Sequence, residues 1–370
     1  MHKKIAILGG DGIGPEVIAQ AVKMLNAIAE EFGHQFEYKD ALVGAAAIEK
    51  TGTALPQETI DICLDSDAVL FGAVGDPRFN DPSAKVRPEQ GLLGLRKALQ
   101  LSSNIRPIIP YSVLHHLSPV KPRQLEGVDF IIFRELSGGN YLGNKQTAED
   151  LSHASDETVY SREEIERIAH LAFKYAHRRR KKVTLVDMAN VLDTSRLWRS
   201  VVAEVAKQYP DVNFESMLVS KAVMQVLIYP KHFDIVLTEN MFGDILSDEA
   251  SVLCGSLGML PSASIGNGTA LFEPVHGSYP DAAGKDIANP IGAVLSVALM
   301  MEYFGLRKEA HVVFEAVDWT LKNSFVTKDI DPVNFYFTST VGDLMSDFVT
   351  GKIPGAIHRE NIELRKSTII

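Results

Sequence analysis

Short apolar segments that end in glycine or a polar turn, with helical periodicity between them, constrain the fold more than any other feature of this sequence. The first is KIAILGG at residues 4–10, followed by an amphipathic stretch that starts near Pro15. DAVLFGAVG (67–75), VTLVDM (183–188) and FDIVLTEN (233–240) repeat the pattern. Buried strands that alternate with helices predict an α/β sandwich with largely parallel strands. Ligands of such folds bind at the carboxyl ends of strands, where the polar clusters of this sequence fall.

Size and composition limit the function classes. A chain of 370 residues is long for one hydrophobic core. The formal net charge of −10 argues against a nucleic-acid surface, and we interpret the single basic run, residues 177–182, as a solvated helix C-terminus. Only Cys63 and Cys254 occur, which favours a reducing cytosol over a disulfide framework. The apolar run at 291–301 is too short to cross a bilayer. We therefore expect a cytoplasmic protein without nucleic-acid or membrane partners.

The glycines of GGDGIGPE approximate the dinucleotide-binding fingerprint. That fingerprint also needs an acid about 20 residues further on, at the end of a second strand. Here the distance falls at Glu30 and Glu31, inside the predicted helix. We interpret the glycines as a tight strand-to-helix turn that permits close packing.

Charged residues of two kinds stand at the ends of patterned segments. Arg96, Arg106 and Arg134 suit a small polycarboxylic acid, because a guanidinium holds a carboxylate bidentately. Asp244 and Asp248, four apart at the predicted start of a helix, share one face that suits a hard divalent cation. Each set is also consistent with surface or structural ion pairs. The turn-rich stretch 273–292 suits a nucleotide, with Asp281 available for a ribose hydroxyl, or is a long loop.

The polar segment 143–161 has no clear periodicity inside an otherwise compact pattern. We expect an arm that becomes ordered on a partner subunit, because structureless loops of this length are uncommon in compact domains; a disordered loop is the alternative.

Taken together, six segments resemble the isocitrate/isopropylmalate dehydrogenase family of β-decarboxylating dehydrogenases, and most closely its isopropylmalate branch. They are GDGIGPEV, LLGLRK with NIRP, RELSGGNYLG, NVLDTSRLWR, TENMFGDILSDEAS and HGSYPDAAGKDIANP, and the resemblance covers roughly residues 3–350. It implies a two-lobed α/β/α sandwich with a discontinuous first domain. The cofactor-binding domain would comprise 1–101 and 255–370, and the substrate, metal and dimerisation domain 102–254 with the arm.

The same resemblance implies NAD-dependent oxidative decarboxylation of 3-isopropylmalate or a close 3-alkylmalate to the 2-oxo acid, in leucine biosynthesis. The implied cofactors are NAD and Mg²⁺ or Mn²⁺, and the implied partner besides the dicarboxylic hydroxy acid is a second copy in a homodimer. The late loop, not the early glycines, would bind NAD. The implied site residues are Tyr141 as catalytic acid; Glu89, Leu92, Leu93, Arg96, Arg106 and Arg134 for substrate; Asp76, Glu89, His276, Gly277, Ser278, Asp281 and Asn289 for cofactor; and Asp244 and Asp248 for metal.

Two positions depart from the family pattern. Met188 stands where the family has a lysine, and Ser220, followed by Lys221, stands where it has a third metal-binding aspartate. Both belong to the half of the site that one subunit gives to the other. Three hypotheses follow: a catalytically impaired, ligand-binding or regulatory chain; a subunit completed by an intact homologue in a hetero-oligomer; or a diverged enzyme in which Lys221 supplies the missing charge. Substitution by engineering is a further explanation for Met188.

Overall fold

The computed structural model describes residues 1–81 and 84–353. These form two compact units, and the chain passes from the first to the second between Gln100 and Leu101 and returns at Gly255. The tail beyond 353, which the predicted first domain includes, lies outside the described residues. Cys63 and Cys254 are both buried free thiols, as expected.

The helices and strands follow the alternation predicted from the sequence. The first unit begins with β1 (His2–Gly10), α1 (Gly14–Phe32), β2 (Gln35–Asp40), α2 (Ala45–Thr51), α3 (Gln57–Leu64), β3 (Ala68–Ala73) and α4 (Glu89–Ala98). The second contains β4 (Leu101–Ile108), α5 (Pro122–Leu125), β5 (Phe130–Glu135), β6 (Lys145–Thr147), β7 (Ala154–Asp156), α6 (Arg162–Arg178), β8 (Lys182–Asp187), α7 (Asp193–Ala206), β9 (Asn213–Leu218), α8 (Val219–Ile228), β10 (Ile235–Thr238) and α9 (Asn240–Ser251). The first unit resumes with β11 (Pro261–Gly266), β12 (Ala270–Pro274), α10 (Ile291–Tyr303), α11 (Arg307–Lys322) and α12 (Thr338–Val349).

Each unit contains a mixed, mainly parallel sheet. The strand order is β2-β1-β3-β12-β11 in the first unit and β4-β5-β10-β8-β9 in the second. The β11–β12 and β4–β5 pairs are antiparallel, and the other described pairs within these sheets are parallel. β3 and β5 are buried along their whole length, as strands covered on both faces are. The prediction of an α/β fold with largely parallel strands is confirmed.

The early glycine turn packs closely, as interpreted from the sequence. A Cβ atom on Gly14 would lie 2.2 Å from the carbonyl oxygen of Gly9, and Gly10 has a φ of +72°. The Asp11 carboxylate accepts the backbone N–H groups of Ala45, Ala46 and Gly75, so its hydrogen bonds are made within the protein.

Two expectations about charged segments need correction. In the basic run, α6 ends at Arg178 and four residues are exposed, as expected: His177, Arg178, Arg180 and Lys181. Arg179 is the exception, because its side chain is 2% exposed and pairs with Asp129 and Asp234 at 2.6 and 2.9 Å. Asp244 and Asp248 do not lie at a helix start, because α9 begins at Asn240 and its first turn holds no acid.

The segment 143–161 contains an antiparallel pair, β6 with β7, whose side chains are all exposed. The disordered-loop alternative is therefore wrong for these strands, while the partner-bound arm stays a prediction. Within the described ranges, no helix has both the length and the apolarity that a membrane span needs.

Candidate active site

Two buried arginines of the second unit converge on one aspartate. Arg106 projects from β4 and Arg134 from β5, two neighbouring antiparallel strands. The Arg134 guanidinium donates to Asp244 and, through Nε, to Asn240 Oδ1 at 2.9 Å. Arg106 Nη2 lies 3.5 Å from Asp244 Oδ1. α9 places Asp244 opposite both strands, because Asn240 and Asp244 are one helical turn apart.

Tyr141 and Asp248 complete this group, which we call the Asp244 cluster: Arg106, Arg134, Tyr141, Asp244 and Asp248. The Tyr141 hydroxyl donates to Asp244 Oδ2 at 3.0 Å, and the Arg134 guanidinium carbon lies 5.5 Å from the centre of the Tyr141 ring. Asp248 Oδ1 lies 3.6 Å from Arg106 Nη1. The structure thus brings together five residues that the sequence predicted separately.

Burial and the neighbouring charges shift the titration of this cluster. The pKa of Tyr141 is raised, first by burial and then by the nearby Asp244 carboxylate, so its phenol stays protonated at neutral pH. Burial also raises the pKa of Asp248, against the opposing effect of Arg106. A neutral phenol beside cations is the state that a general acid requires.

The carboxylates of Asp244 and Asp248 fit a divalent cation. Both lie within 4 Å of one guanidinium, that of Arg106, with Asp244 beside Nη2 and Asp248 beside Nη1. Mg²⁺ commonly uses one or two protein carboxylates and completes its shell with water and substrate. No group of three or more His, Cys, Asp or Glu residues suited to a metal occurs in the described part of the chain.

Met188, Ser220 and Lys221, which we call the Met188 region, surround the carboxyl ends of β8 and β9. Met188 is half-buried, and its N–H donates to Ser195 Oγ at 3.1 Å. Ser220 and Lys221 are exposed in the first turn of α8. Lys221 lines a cavity of about 400 Å³ with Ala189, Asn190, Arg199, Ser216, Met217 and Leu218. Among these lining residues there is none from the Asp244 cluster.

The sequence did not predict that Arg199 lines this cavity. Its guanidinium binds the buried Asp187 carboxylate through Nε at 2.9 Å and Nη2 at 2.6 Å. The i, i+12 separation gives no local signal of this pair, which depends on how α7 folds back onto β8.

The predicted substrate residues of the first unit lie on one face of α4. Glu89, Leu92, Leu93 and Arg96 follow the spacing i, i+3, i+4, i+7, which places them along one stripe. Glu89 is exposed and the two leucines are half-buried. Arg96 is buried, and its Nη2 donates to Glu273 Oε1 at 2.9 Å. Its Nε has no hydrogen-bond partner in the described part of the chain.

The predicted cofactor loop follows β12 and runs to the start of α10. His276 Nδ1 lies 2.9 Å from the Gly277 carbonyl oxygen, and burial lowers the pKa of its imidazole. Gly277 and Asp281 are exposed, whereas Ser278 is buried. The open side of the loop therefore carries the Asp281 carboxylate.

Asp76 and Asn289 have partners inside the protein. Asp76 binds the backbone and guanidinium of Arg78, which lowers the pKa of its carboxyl group. Asn289 Oδ1 accepts the Ile291 N–H at 3.0 Å, and its Nδ2 donates to Asp329 at 3.0 Å. Both residues shape the loops that carry them, and their contact with a cofactor stays a prediction.

The sequence model described as Isocitrate/isopropylmalate dehydrogenase matches residues 4–345. The chain belongs to this family. It is 52% identical to the 3-isopropylmalate dehydrogenase of Priestia megaterium, covering 95% of this chain and 96% of that protein. It is 49% identical to that of Bacteroides fragilis strain YCH46, covering 94% and 99%. The crystal structure of isocitrate dehydrogenase from Methylococcus capsulatus is similar, with a TM-score of 0.85 and 36% identity over 95% of this chain and 100% of the other.

Membership of the isocitrate/isopropylmalate dehydrogenase family confirms the resemblance seen in the motifs and the expectation of an oxidoreductase. It favours an enzyme over a ligand-binding or regulatory chain without turnover. The roles of the individual site residues remain predictions.

Proposed function

We propose that this protein catalyses the NAD-dependent oxidative decarboxylation of 3-isopropylmalate, or a close 3-alkylmalate, as a step of leucine biosynthesis. The observation that carries the proposal is the Asp244 cluster, in which two buried arginines, a protonated tyrosine and two converging carboxylates face one another. These groups suit the carboxylate binding, metal binding and proton donation that a β-decarboxylation of a dicarboxylic hydroxy acid needs, while the base for the C2 hydroxyl lies outside the cluster.

Each residue of the Asp244 cluster has a separate role in the proposed reaction. Arg106 and Arg134 bind the substrate carboxylates, which replace part of their pairing with Asp244. Asp244 and Asp248 would hold Mg²⁺ or Mn²⁺, which would supply Lewis acidity at the C2 oxygen. The Tyr141 hydroxyl gives its proton to C3 after carbon dioxide has left. NAD, when bound, would supply the hydride acceptor for C2.

Leu92 and Leu93 support an alkyl substituent at C3. Their half-buried side chains lie on the same stripe of α4 as Arg96, so a substrate held by that arginine would place its substituent against them. A third carboxylate, as in isocitrate, would meet apolar side chains there. Leaving a charged group without a partner in such a pocket is unfavourable, so the alkyl substrate is preferred.

The C2 hydroxyl requires a base, and we propose that Lys221 of a second copy of the chain has that role, because its own cavity contains no residue of the Asp244 cluster. Met188 cannot accept a proton, whereas the neutral form of the Lys221 amine can, and Lys221 borders a cavity together with Asn190, two residues after Met188. A long flexible stem suits an amine that acts at some distance from its own helix.

We propose a homodimer on the evidence of α8 and α9, two helices that pack together. Ser220, Met224 and Ile228 follow a spacing of four along α8, and Met224 and Ile228 are 56% and 64% exposed. Ile245 on α9 is 54% exposed. Exposed apolar side chains on two helices that pack together favour burial against a second copy. Light scattering should give twice the chain mass, and a Met224→Glu, Ile228→Glu variant should be monomeric.

The proposed reaction is tested by NADH formation from the purified protein with Mg²⁺. We expect kcat/KM for 3-isopropylmalate to exceed that for isocitrate by roughly 100-fold or more, and EDTA to abolish both activities. A preference for isocitrate, or NADH formation that survives EDTA, would contradict the proposal.

A further inference from the structure

The early glycine turn packs directly against the predicted cofactor loop. The Ile13 N–H donates to the carbonyl oxygen of Ser278 at 2.8 Å. A Cβ atom at Gly12 would lie only 1.9 Å from that same oxygen, and Gly12 has a φ of +57°. The turn therefore leaves room for the backbone of the loop, which is fastened to it at Ser278.

Glu16 fastens the other end of the same loop. Its half-buried carboxylate accepts the backbone N–H of Gly284 through Oε1 and that of Asp286 through Oε2, the latter at 3.1 Å. Gly284 and Asp286 have φ values of +73° and +54°. A left-handed conformation is less favourable for aspartate than for glycine, and the contacts of Asp286 hold it there.

Asp286 extends this attachment to the start of α12. Its carboxylate accepts the backbone N–H of Ser339 at 2.8 Å and the Ser339 hydroxyl at 2.6 Å. α12 in turn packs on α1, where Lys23 pairs with Asp343 at 2.6 Å. The end of the loop is thus tied to two helices that support each other.

We infer that Glu16 is a positioning residue for NAD binding: it fixes residues 279–283, including the exposed Asp281, between the attachments at Ser278 and Asp286. The inference rests on the proposed function, because it takes this loop as the NAD site. Without the carboxylate, the loop would have to be ordered by the cofactor itself, and the lost entropy would weaken binding.

The test compares Glu16→Ala and Glu16→Gln with Glu30→Gln, a matched change at an exposed glutamate on the same helix. Hydrogen exchange of the NAD-free protein reports on the loop alone, and steady-state kinetics report separately on KM for NAD and KM for isopropylmalate. Glutamine keeps the side-chain length and one acceptor oxygen, so it tests the carboxylate in a chain that folds with little change.

We expect faster exchange in Glu16→Ala, confined to peptides that cover 276–290. KM for NAD should rise roughly tenfold or more, as for the loss of hydrogen bonds to a charged acceptor, while KM for isopropylmalate stays within about twofold. The loop exchange rate and the KM for NAD of Glu16→Gln should lie between those of wild type and Glu16→Ala. Both quantities should equal the wild-type values in Glu30→Gln. Unchanged exchange, or equal rises in both KM values, would overturn the inference. If wild type failed to bind NAD, the proposed function would be wrong, whereas faster loop exchange would still support the attachment by Glu16.

Discussion

The Asp244 cluster and the Met188 region, both in the second unit, differ in how their side chains are held. Arg134 in the cluster is 3% exposed and contacts Asp244 and Asn240. Ser220 and Lys221 are exposed on the first turn of α8. The arginines and Asp244 of the cluster are therefore preorganised by their own chain, whereas Ser220 and Lys221 in the Met188 region have room to move. Groups held in advance cost little reorganisation during a reaction, so the cluster should be the more sensitive to substitution.

The largest effect is expected for Asp244→Asn. This change removes the negative charge of the predicted metal ligand, which accepts the Tyr141 hydroxyl and pairs with the buried Arg134. We expect kcat/KM for isopropylmalate to fall roughly 1,000-fold. The control is Asp211→Asn, which breaks an exposed ion pair with Lys181 and should leave NADH formation unchanged. A similar fall in kcat/KM for both variants would mean that the Asp244 cluster has no particular role in the reaction.

A smaller effect is expected for Lys221→Met, which tests whether the Met188 region takes part in the chemistry. If the amine serves the C2 hydroxyl, kcat should fall roughly 100-fold while KM for NAD stays constant. Lys207→Met changes an exposed lysine that follows α7 in the same unit and should have no effect. Full activity of Lys221→Met would show that the Lys221 amine is not the base.

The third prediction concerns pH, because the strand ends beside the cluster hold buried carboxyl groups. Burial, with a further contribution from Glu135, raises the pKa of Glu239 from 4.5 to about 7, against the opposing hydrogen bond of Tyr160. The folded state then binds a proton that the unfolded chain releases near pH 4.5. The stability that this group contributes is complete below pH 4.5 and is lost as the pH rises through 7.

Glu239→Gln should remove this pH dependence. We expect the variant to be stabilised relative to wild type by more at pH 8 than at pH 5, with a difference on the order of 1 to 3 kcal/mol in unfolding free energy. Thermal unfolding midpoints at the two pH values measure it. Glu163→Gln, at an exposed site of α6, should show no such difference. An equal shift at both pH values would contradict a protonated Glu239.

The sequence predicted the fold better than it predicted the contacts of the charged residues. Strands such as β3 could be located because an unbroken apolar run is itself the cause of burial. The partners of Arg179 and Arg199 could not be predicted from the sequence, because Asp129, Asp234 and Asp187 approach them only through tertiary packing. The motifs named Asp244 as a metal ligand, but its pairing with Arg134 across 110 residues has no signal in one sequence.

The smallest effect is expected for Met188→Leu. The Met188 side chain is half-buried and carries no charge, and its backbone makes the described contacts, with the N–H bound to Ser195 and the carbonyl oxygen accepting the N–H groups of Val191 and Leu192. Leucine preserves volume and apolarity, so we expect kcat and both KM values to change by less than about threefold. Ser195→Ala is the informative partner variant, because it removes the hydroxyl that fixes the turn and should lower kcat more than Met188→Leu does. If Met188→Leu instead reduced kcat as strongly as Lys221→Met, the thioether itself would have to act in the site, and the contrast between a preorganised cluster and a tolerant Met188 region would fail.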